Sequence, residues 1–390
     1  MIRKWGAPAA VILILAILCQ GCWDNRDITE LNIVSAVGID RAIGGGYDVS
    51  AQIIKNSVID AREQGSTEEV VWTLTKSGKT VFETLRNMLS AVGKRPLYSH
   101  TEMLVIGEDA ARDGIKGILD FFERDHKTRR RAYVLIARGI TAKQVIDAKS
   151  DSESIPIIHV KTALETVEGL PQKRKLEIIE LVQEIGSAGR EVVVGVIQPA
   201  DGVGDPDHIR DLEVTGGAVF AGDKLIGWIE ALDMRGYLFA VNEVKSGIMN
   251  IDNPLSPGDL VSIEIKRAKC EMDAEFKDGQ PVLIFDIRVE GNIGEQHGPG
   301  NLTSAETIGL MEMEYQQAVL SEVANIVSRA QNDFHLDIFG FGELIHRKNL
   351  KYWNSVKDRW NSVFSGLPVC ISVKSVIKKP GLVRYPMEEK

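Results

Sequence analysis

The sequence predicts an α+β protein of several domains, in which mixed or antiparallel sheets are packed with helices. Stretches that alternate apolar and polar residues occur in pairs joined by short turns, several of them glycine-bearing, which is typical of β-hairpins. Amphipathic helical stretches fall between these pairs, but without the regular strand–helix alternation of a doubly wound parallel sheet. The 390 residues are 44% apolar and 26% charged, an ordinary globular composition with enough length for two or three domains.

The first 21 residues predict a secretory signal peptide. Two cations, Arg3 and Lys4, precede an apolar run over residues 7–18, and Gly21 then precedes Cys22. The run is too short to span a bilayer, which takes about 20 apolar residues. A small residue followed by a cysteine at the cleavage point is typical of bacterial lipoproteins. We therefore expect Cys22 to be lipidated on its sulfur and to become the mature amino terminus.

Two other interpretations of this segment stay open. Lipoprotein sites commonly carry leucine three residues before the cysteine, and this chain has Cys19 at that position. An ordinary signal peptide or an uncleaved anchor would explain the same apolar run. Cys19 and Cys22 also have the spacing of a redox or zinc pair, but Cys19 lies in the segment that would be removed.

Charge limits how the protein reaches a membrane. The formal charge is −9, and removal of residues 1–21, which carry Arg3 and Lys4 but no acidic residue, lowers it to −11 over 369 residues. A protein this acidic does not bind nucleic acid or anionic lipid through its overall charge. We therefore expect the protein to attach through lipid. A lipoprotein cysteine carries at least two acyl chains, and two chains hold a protein firmly at a membrane where one does not.

The region after the signal peptide combines strands and helices. Residues 32–40 and 47–55 alternate apolar and polar side chains around Gly44-Gly45-Gly46, which predicts a hairpin. Apolar runs predict further strands, and apolar residues at intervals of three and four predict helices. We expect these strands at 70–74, 102–106, 132–137 and 191–197, and these helices at 80–91, 109–122, 141–148 and 176–185.

A segment rich in proline, glycine and aspartate, residues 199–207, predicts a linker. The chain is therefore expected to contain a signal peptide (1–21), an N-terminal α+β region of two subdomains (22–198), a linker (199–211), a C-terminal α+β domain (212–380) and a tail (381–390).

The C-terminal domain is expected to hold two hairpins, a long helix, a tryptophan-bearing helix and a closing strand. The long helix carries an apolar stripe that predicts packing against a sheet, and a partner-binding helix is the second interpretation. The hairpins are expected at 212–220 with 224–228 and at 259–272 with 281–291, the helices at 304–331 and 350–363, and the strand at 368–378; the stripe consists of Ile308, Met311, Tyr315, Val319, Val323 and Ile326.

The sequence offers no catalytic, cofactor-binding or metal-binding motif. It contains no Gly-x-Ser-x-Gly, His-Glu-x-x-His or Gly-Lys-Ser/Thr pattern. Its seven histidines include no pair three to five residues apart, as a local zinc site would need. The acidic clusters at 151–153 and 388–389 are better explained as solvated loops. We therefore predict no catalytic, cofactor or metal residue, and no enzymatic activity.

Two further features each have two interpretations. The basic run at 124–131 follows a predicted helix, so its cations favour the negative end of the helix dipole, but the run could also contact acidic lipid headgroups or an acidic partner. Cys270 and Cys370 could form a disulfide, but both fall in strand-like runs, which favours two buried reduced thiols.

Several contiguous motifs follow one another along nearly the whole mature chain. They are residues 22–40 (Cys-Trp-Asp-Asn-Arg-Asp and the strand after it), 100–108, 114–137, 216–228 and 337–342 (Asp-Ile-Phe-Gly-Phe-Gly), Trp353 and Trp360, and residues 377–381. In these motifs and in their order the chain resembles the Ger(x)C family, the lipoprotein C subunits of bacterial spore germinant receptors.

This resemblance implies a location, partners and a fold. Family members sit on the outer face of the spore inner membrane beside two integral membrane subunits, A and B, and have a three-domain α+β fold. It also implies that Trp23, Asp24 and Arg26 form a membrane-proximal start next to Cys22, although packing at the entry to the first strand would explain these residues as well.

The expected function is therefore that of a lipid-anchored, non-enzymatic subunit of a nutrient germinant receptor, on which the germinant acts indirectly. A solute-binding lipoprotein that captures the nutrient itself is the alternative, favoured by the predicted export, lipidation and two lobes around a linker. An exported hydrolase has no supporting motif.

Overall fold

The computed structural model describes residues 31–55, 69–93, 95–125, 128–149, 155–166, 171–200 and 212–379. The predicted signal peptide, Cys22, nearly all of the predicted linker, the tail and both acidic clusters lie outside the described residues. No helix within these ranges is long and apolar enough to cross a membrane.

The strands of the described chain up to Ile229 form one large mixed sheet, which we call the first sheet. The helices of this part of the chain pack on that sheet. Its elements are β1 (Leu31–Arg41), β2 (Tyr47–Ile54), β3 (Val71–Gly78), α1 (Val81–Val92), β4 (Arg95–Leu97), β5 (Met103–Ile106), α2 (Glu108–Asp113), α3 (Lys116–Arg124), β6 (Tyr133–Ala137), α4 (Ala142–Asp147), α5 (Pro156–Glu165), α6 (Ile178–Gly186), β7 (Val193–Pro199), β8 (Leu212–Ala221) and β9 (Lys224–Ile229).

The first sheet is parallel in its centre and antiparallel at both ends. Its order is β3-β2-β1-β5-β6-β7-β8-β9, with the short β4 also paired to β1. Strands β1, β5, β6 and β7 are parallel neighbours. Helices α1, α3 and α6 pack on one face, and α4 and α5 pack on the other. Central strands such as β5 are buried throughout because helices cover both faces.

The rest of the described chain forms a second, smaller sheet packed on a long helix. Strand order is β10-β11-β12-β13, with β13 parallel to β12 and the other neighbours antiparallel. The elements are α7 (Ala231–Ala240), β10 (Gly247–Asp252), β11 (Leu260–Lys277), β12 (Gln280–Gln296), α8 (Ala305–Arg329), α9 (Phe341–Lys348), α10 (Leu350–Val356), α11 (Trp360–Phe364) and β13 (Val369–Lys379).

The predicted α+β class is confirmed, and so is the core role of the long helix. Met311, Tyr315, Val319, Val323 and Ile326 of α8 are all fully buried. Both predicted C-terminal hairpins are present as β8–β9 and β11–β12. The second hairpin turns at Asp278 and Gly279, whose positive φ angles of 51° and 80° suit a two-residue turn.

Two predicted helices are interrupted. The helix expected at 109–122 breaks at Gly114, whose φ of 130° cannot continue a right-handed helix, and the next amide, on Ile115, donates to the carbonyl of Asp223 instead. The helix expected at 350–363 becomes α10 and α11 with a 3₁₀ turn between them. Helix α8 ends before the predicted limit, in a π-helical turn over Ala330–Phe334.

The first sheet continues across the predicted linker. Strand β8, which was expected to open the C-terminal domain, pairs antiparallel with β7, as in the register Val193↔Val219. The change from one sheet to the other therefore falls after β9. The domain boundaries themselves stay a prediction.

The two C-terminal cysteines are free thiols on different strands, β11 and β13, with β12 between them. Cys270 is buried as expected, and burial raises the pKa of its thiol to about 12. Cys370 is exposed, so the expectation that both thiols are buried is wrong for it. Its side chain belongs to the row of β13 that faces water, which alternates with a more buried row.

Candidate functional site

The two sheets meet at a fully buried carboxylate, that of Asp337. Its Oδ1 accepts hydrogen bonds from the backbone N–H groups of Phe339 (3.1 Å) and Gly340 (2.9 Å). Its Oδ2 accepts from the N–H of Gly342 (2.8 Å) and from the indole Nε1–H of Trp360 (2.9 Å). One side chain thus joins the turn before α9, the start of α9 and the start of α11.

The local sequence explains why these donors converge. His335 ends the helical run in the left-handed region, with φ of 55°, and Gly340 has φ of 94°. Between them the chain folds into a compact turn that an aspartate can cap through its own following amides. Burial raises the pKa of Asp337, while the N–H donors and the Trp360 indole act in the opposite direction.

The backbone of the first sheet's helical layer rests directly on this turn. Gly189, which follows α6, has φ of 88°, and a Cβ placed on it would lie 2.6 Å from the Trp353 ring. A Cβ on Gly342 would lie 2.5 Å from the Gly189 carbonyl oxygen. The N–H of Glu191 donates to the carbonyl of Asp337 at 2.8 Å. Glycine is therefore needed on both sides of the contact.

A second buried cluster lies close to this turn, around the guanidinium of Arg174. This group donates to both carboxylate oxygens of Glu184 (2.7 and 2.9 Å), to Glu243 (3.0 Å) and to the Val193 carbonyl (2.6 Å). The carbon at its centre lies 5.6 Å from the ring centroid of Tyr237. Glu184 is on α6 and Glu243 follows α7, so Arg174 connects the layers of the two sheets.

A cavity of about 600 Å³ opens beside the Arg174 cluster, between residues of the two sheets. Its wall carries both cations and carboxylates. Burial lowers the pKa of Lys173, one of the cations. The charged lining residues are Glu165, Lys173, Arg174, Lys175, Glu180, Glu184, Arg190, Glu243, Lys245 and Glu343.

The cavity is lined by charged side chains, and two of its carboxylates are already paired. Among the residues that line the cavity there is no histidine or cysteine, and Glu184 and Glu243 are engaged by arginine. Within the described part of the chain, no group of three or more histidines, cysteines and acidic residues could hold a metal ion. A ligand here would meet fixed charges of both signs.

The residues predicted as a site from the sequence are elsewhere. Cys22, Trp23, Asp24 and Arg26 lie outside the described residues, so their roles stay predictions. Sequence reasoning singled out Asp337 and Trp360 only as part of the family resemblance, and it missed Arg174 and Gly189. The one local signal was the spacing of two glycines three and five residues after Asp337, typical of a turn that an aspartate caps.

Comparison with known protein families gives two matches that together cover most of the chain. Residues 24–199 match the family model described as spore germination protein N-terminal domain. Residues 215–381 match the model described as spore germination B3/GerAC like, C-terminal. This range of the chain includes Asp337, Trp353 and Trp360.

Individual relatives match over nearly their full length. Spore germination protein KC of Bacillus subtilis (strain 168) is 26% identical, with 100% of this chain and 98% of the relative covered. Spore germination protein B3 of the same organism is 24% identical, with 93% and 94% covered. A solved structure, the crystal structure of the GerBC protein, aligns with a TM-score of 0.58 and 18% identity over 87% of this chain and 96% of that one.

Replacement of Asp337 by asparagine should lower the free energy of unfolding by at least about 2 kcal/mol. The amide NH₂ would take the place of one carboxylate oxygen and face buried N–H donors, and each unsatisfied buried donor costs about 1–3 kcal/mol. Urea unfolding measures the change. Asp358→Asn, at an exposed position in the 3₁₀ turn, is the control and should change stability by less than about 0.5 kcal/mol. Equal losses in the two variants would contradict the role given to the Asp337 carboxylate.

Two glycine-to-alanine replacements in helices should have opposite effects on unfolding. Gly342→Ala forces a methyl group against Gly189 and the Trp360 indole and should cost about 1–3 kcal/mol. Gly309→Ala in α8 meets no atom of the described chain within 4 Å and should gain about 0.5–1 kcal/mol, because glycine weakens a helix interior. If both variants gained stability in urea unfolding, the close Gly189–Gly342 contact would be disproved.

Proposed function

Since the chain belongs to the GerAC-like family of spore germination proteins, we propose that it is the lipid-anchored, non-enzymatic C subunit of a nutrient germinant receptor. The observation that carries this proposal is the match of both family models, in order, across the chain. The first match begins at Asp24, just after Cys22. A mature chain anchored through Cys22 would begin two residues before this match.

In this proposal the protein acts by contact with other proteins. It assembles with integral membrane A and B subunits on the outer face of the spore inner membrane, and the germinant acts on it indirectly. Support for a non-enzymatic role comes from the Asp337 turn and the Arg174 cluster, whose polar groups are engaged with one another. Such groups stabilise an arrangement of elements.

Direct capture of the nutrient is a second candidate function, and the cavity between the sheets is the observation that favours it. Its volume falls within the range of small-molecule sites, and its charges of both signs would suit a small zwitterion. Against it, the carboxylates nearest the centre are already neutralised by Arg174 and Arg190.

Replacement of Cys22 by alanine should release the protein from spore membranes and slow nutrient-triggered germination, because the thioether to the lipid cannot form. Membrane fractionation and immunoblotting measure retention, and mass spectrometry of the amino terminus shows whether the leader has been removed. Cys370→Ala, which removes an exposed free thiol, is the matched control and should leave retention unchanged. A free, unacylated sulfhydryl on Cys22 in wild-type protein that is still held by the membrane would refute the anchor.

Calorimetric titration of the purified chain with amino acids and sugars separates the two candidate functions. The subunit proposal predicts no saturable heat. Saturable binding that is lost in Lys245→Glu, a change on the cavity wall, and kept in Lys266→Glu, on the exposed outer surface of the second sheet, would instead favour nutrient capture.

A further inference from the structure

The parallel strands of the first sheet start at the same end of the sheet. We call this row of strand starts, which is not an edge strand, the amino edge. The registers Leu31↔Arg95, Ala36↔Met103 and Met103↔Tyr133 place the beginnings of β1, β4, β5 and β6 there. The chain enters the fold through Leu31, the first residue of β1. Leu31 is nine positions after Cys22, and nine fully extended residues reach roughly 30 Å. A lipid on Cys22 would therefore keep the amino edge within roughly 30 Å of the bilayer.

The basic run 124–131 leads into β6 and so reaches the same edge. Two of its arginines are engaged within the fold. Arg124 lies in the last turn of α3, as the helix-end interpretation expects, and pairs with Asp120 at 2.8 Å. Arg129 pairs with Glu102, which also accepts from Lys161 at 2.9 Å.

The next two arginines of the run have no side-chain partner in the described part of the chain. In the part of the chain that the structure describes, the side chains of Arg130 and Arg131 have no ion pair and no hydrogen bond. Arg130 and Arg131 are both exposed. The exposed Lys175 lies at the start of β6, with its ammonium 5.8 Å from the centroid of the Tyr133 ring.

The carboxylates nearest these cations are occupied elsewhere. Glu165 accepts from the hydroxyl of Tyr133 at 3.0 Å. Glu177 and Glu180 cap the start of α6 through each other's backbone N–H groups. In the described part of the chain none of these three carboxylates forms an ion pair with Arg130, Arg131 or Lys175, although Glu165 and Glu180 are themselves exposed.

We propose that Arg130, Arg131 and Lys175 form a docking surface for the anionic headgroups of the bilayer, which orients the body with its amino edge toward the membrane. The proposal rests on the lipid anchor of the proposed function. The whole chain is acidic, with a formal charge of −9, so only a local set of cations close to the tether can provide such a contact. Charges act over a Debye length of about 8–10 Å, and each cation close to an anionic leaflet shifts a contact equilibrium roughly fivefold.

Energy transfer on vesicles tests this orientation in the full lipidated chain. Cys370 is exposed and Cys270 is buried, so a fluorophore can be attached to Cys370 while Cys22 carries lipid. Acceptor-labelled lipid headgroups then report how far the second sheet lies from the bilayer. The vesicles contain phosphatidylcholine alone or phosphatidylcholine mixed with phosphatidylglycerol.

On anionic vesicles, wild type should show a transfer efficiency that differs from its value on neutral vesicles and returns to that value at high salt. Arg130→Glu/Arg131→Glu should weaken the oriented contact at least roughly 25-fold and give the neutral-vesicle value on both lipids. Arg131→Glu alone should give an intermediate value and guards against misfolding of the double variant. The control Lys76→Glu/Lys79→Glu makes the same charge change at exposed positions near the opposite ends of the strands and should behave as wild type.

Three outcomes would overturn the docking surface. Transfer that is independent of lipid charge in wild type would do so, as would an equal effect of the control variant. A change that appears only when A and B subunits share the vesicle would assign the surface to a protein partner instead. Flotation of the chain with neutral vesicles tests the anchor separately, because loss of flotation marks a failure of the anchor and not of the docking surface.

Discussion

The architecture depends on one buried carboxylate at the meeting point of the two sheets. Asp337 collects N–H donors from its own turn, from the start of α9 and from the Trp360 indole. These donors have no access to water, so without the carboxylate each would carry an uncompensated desolvation penalty. Because the carbonyl of the same residue accepts from Glu191, the turn that orders the second sheet's helices also holds the first sheet in place.

The Arg174 cluster adds a second connection of a different kind. A buried ion cluster contributes little net stability, since desolvation offsets much of the attraction, but it penalises arrangements that separate its members. Glu184 and Glu243 belong to the layers of different sheets, so sliding one sheet against the other would leave a buried charge without its partner. Two connections close together, one through an anion and one through a cation, favour a body that moves as a unit over one that opens at a hinge. That behaviour suits a subunit that works by contact.

Local patterns predicted much of the fold and little of the site. The hairpins β8–β9 and β11–β12 and the helix α8 were predicted because alternation, turn residues and apolar spacing are all local. The break at Gly114 was missed because the helical pattern continues through it and the competing partner, Asp223, is distant in sequence. The Arg174 cluster joins residues up to 69 positions apart, a distance at which a single sequence carries no pairing signal. The resemblance to the germination family, by contrast, rests on contiguous motifs, and the family models confirm it.

The parallel pairing of β13 with β12 has a consequence for biogenesis. The whole helical segment Ala305–Phe364 separates the two strands in sequence, so the second sheet cannot be completed until that segment has emerged from the ribosome. Non-local pairing of this sort slows folding. In a chain exported by the predicted secretory route, the second sheet would therefore be completed only after residues 305–364 have been synthesised.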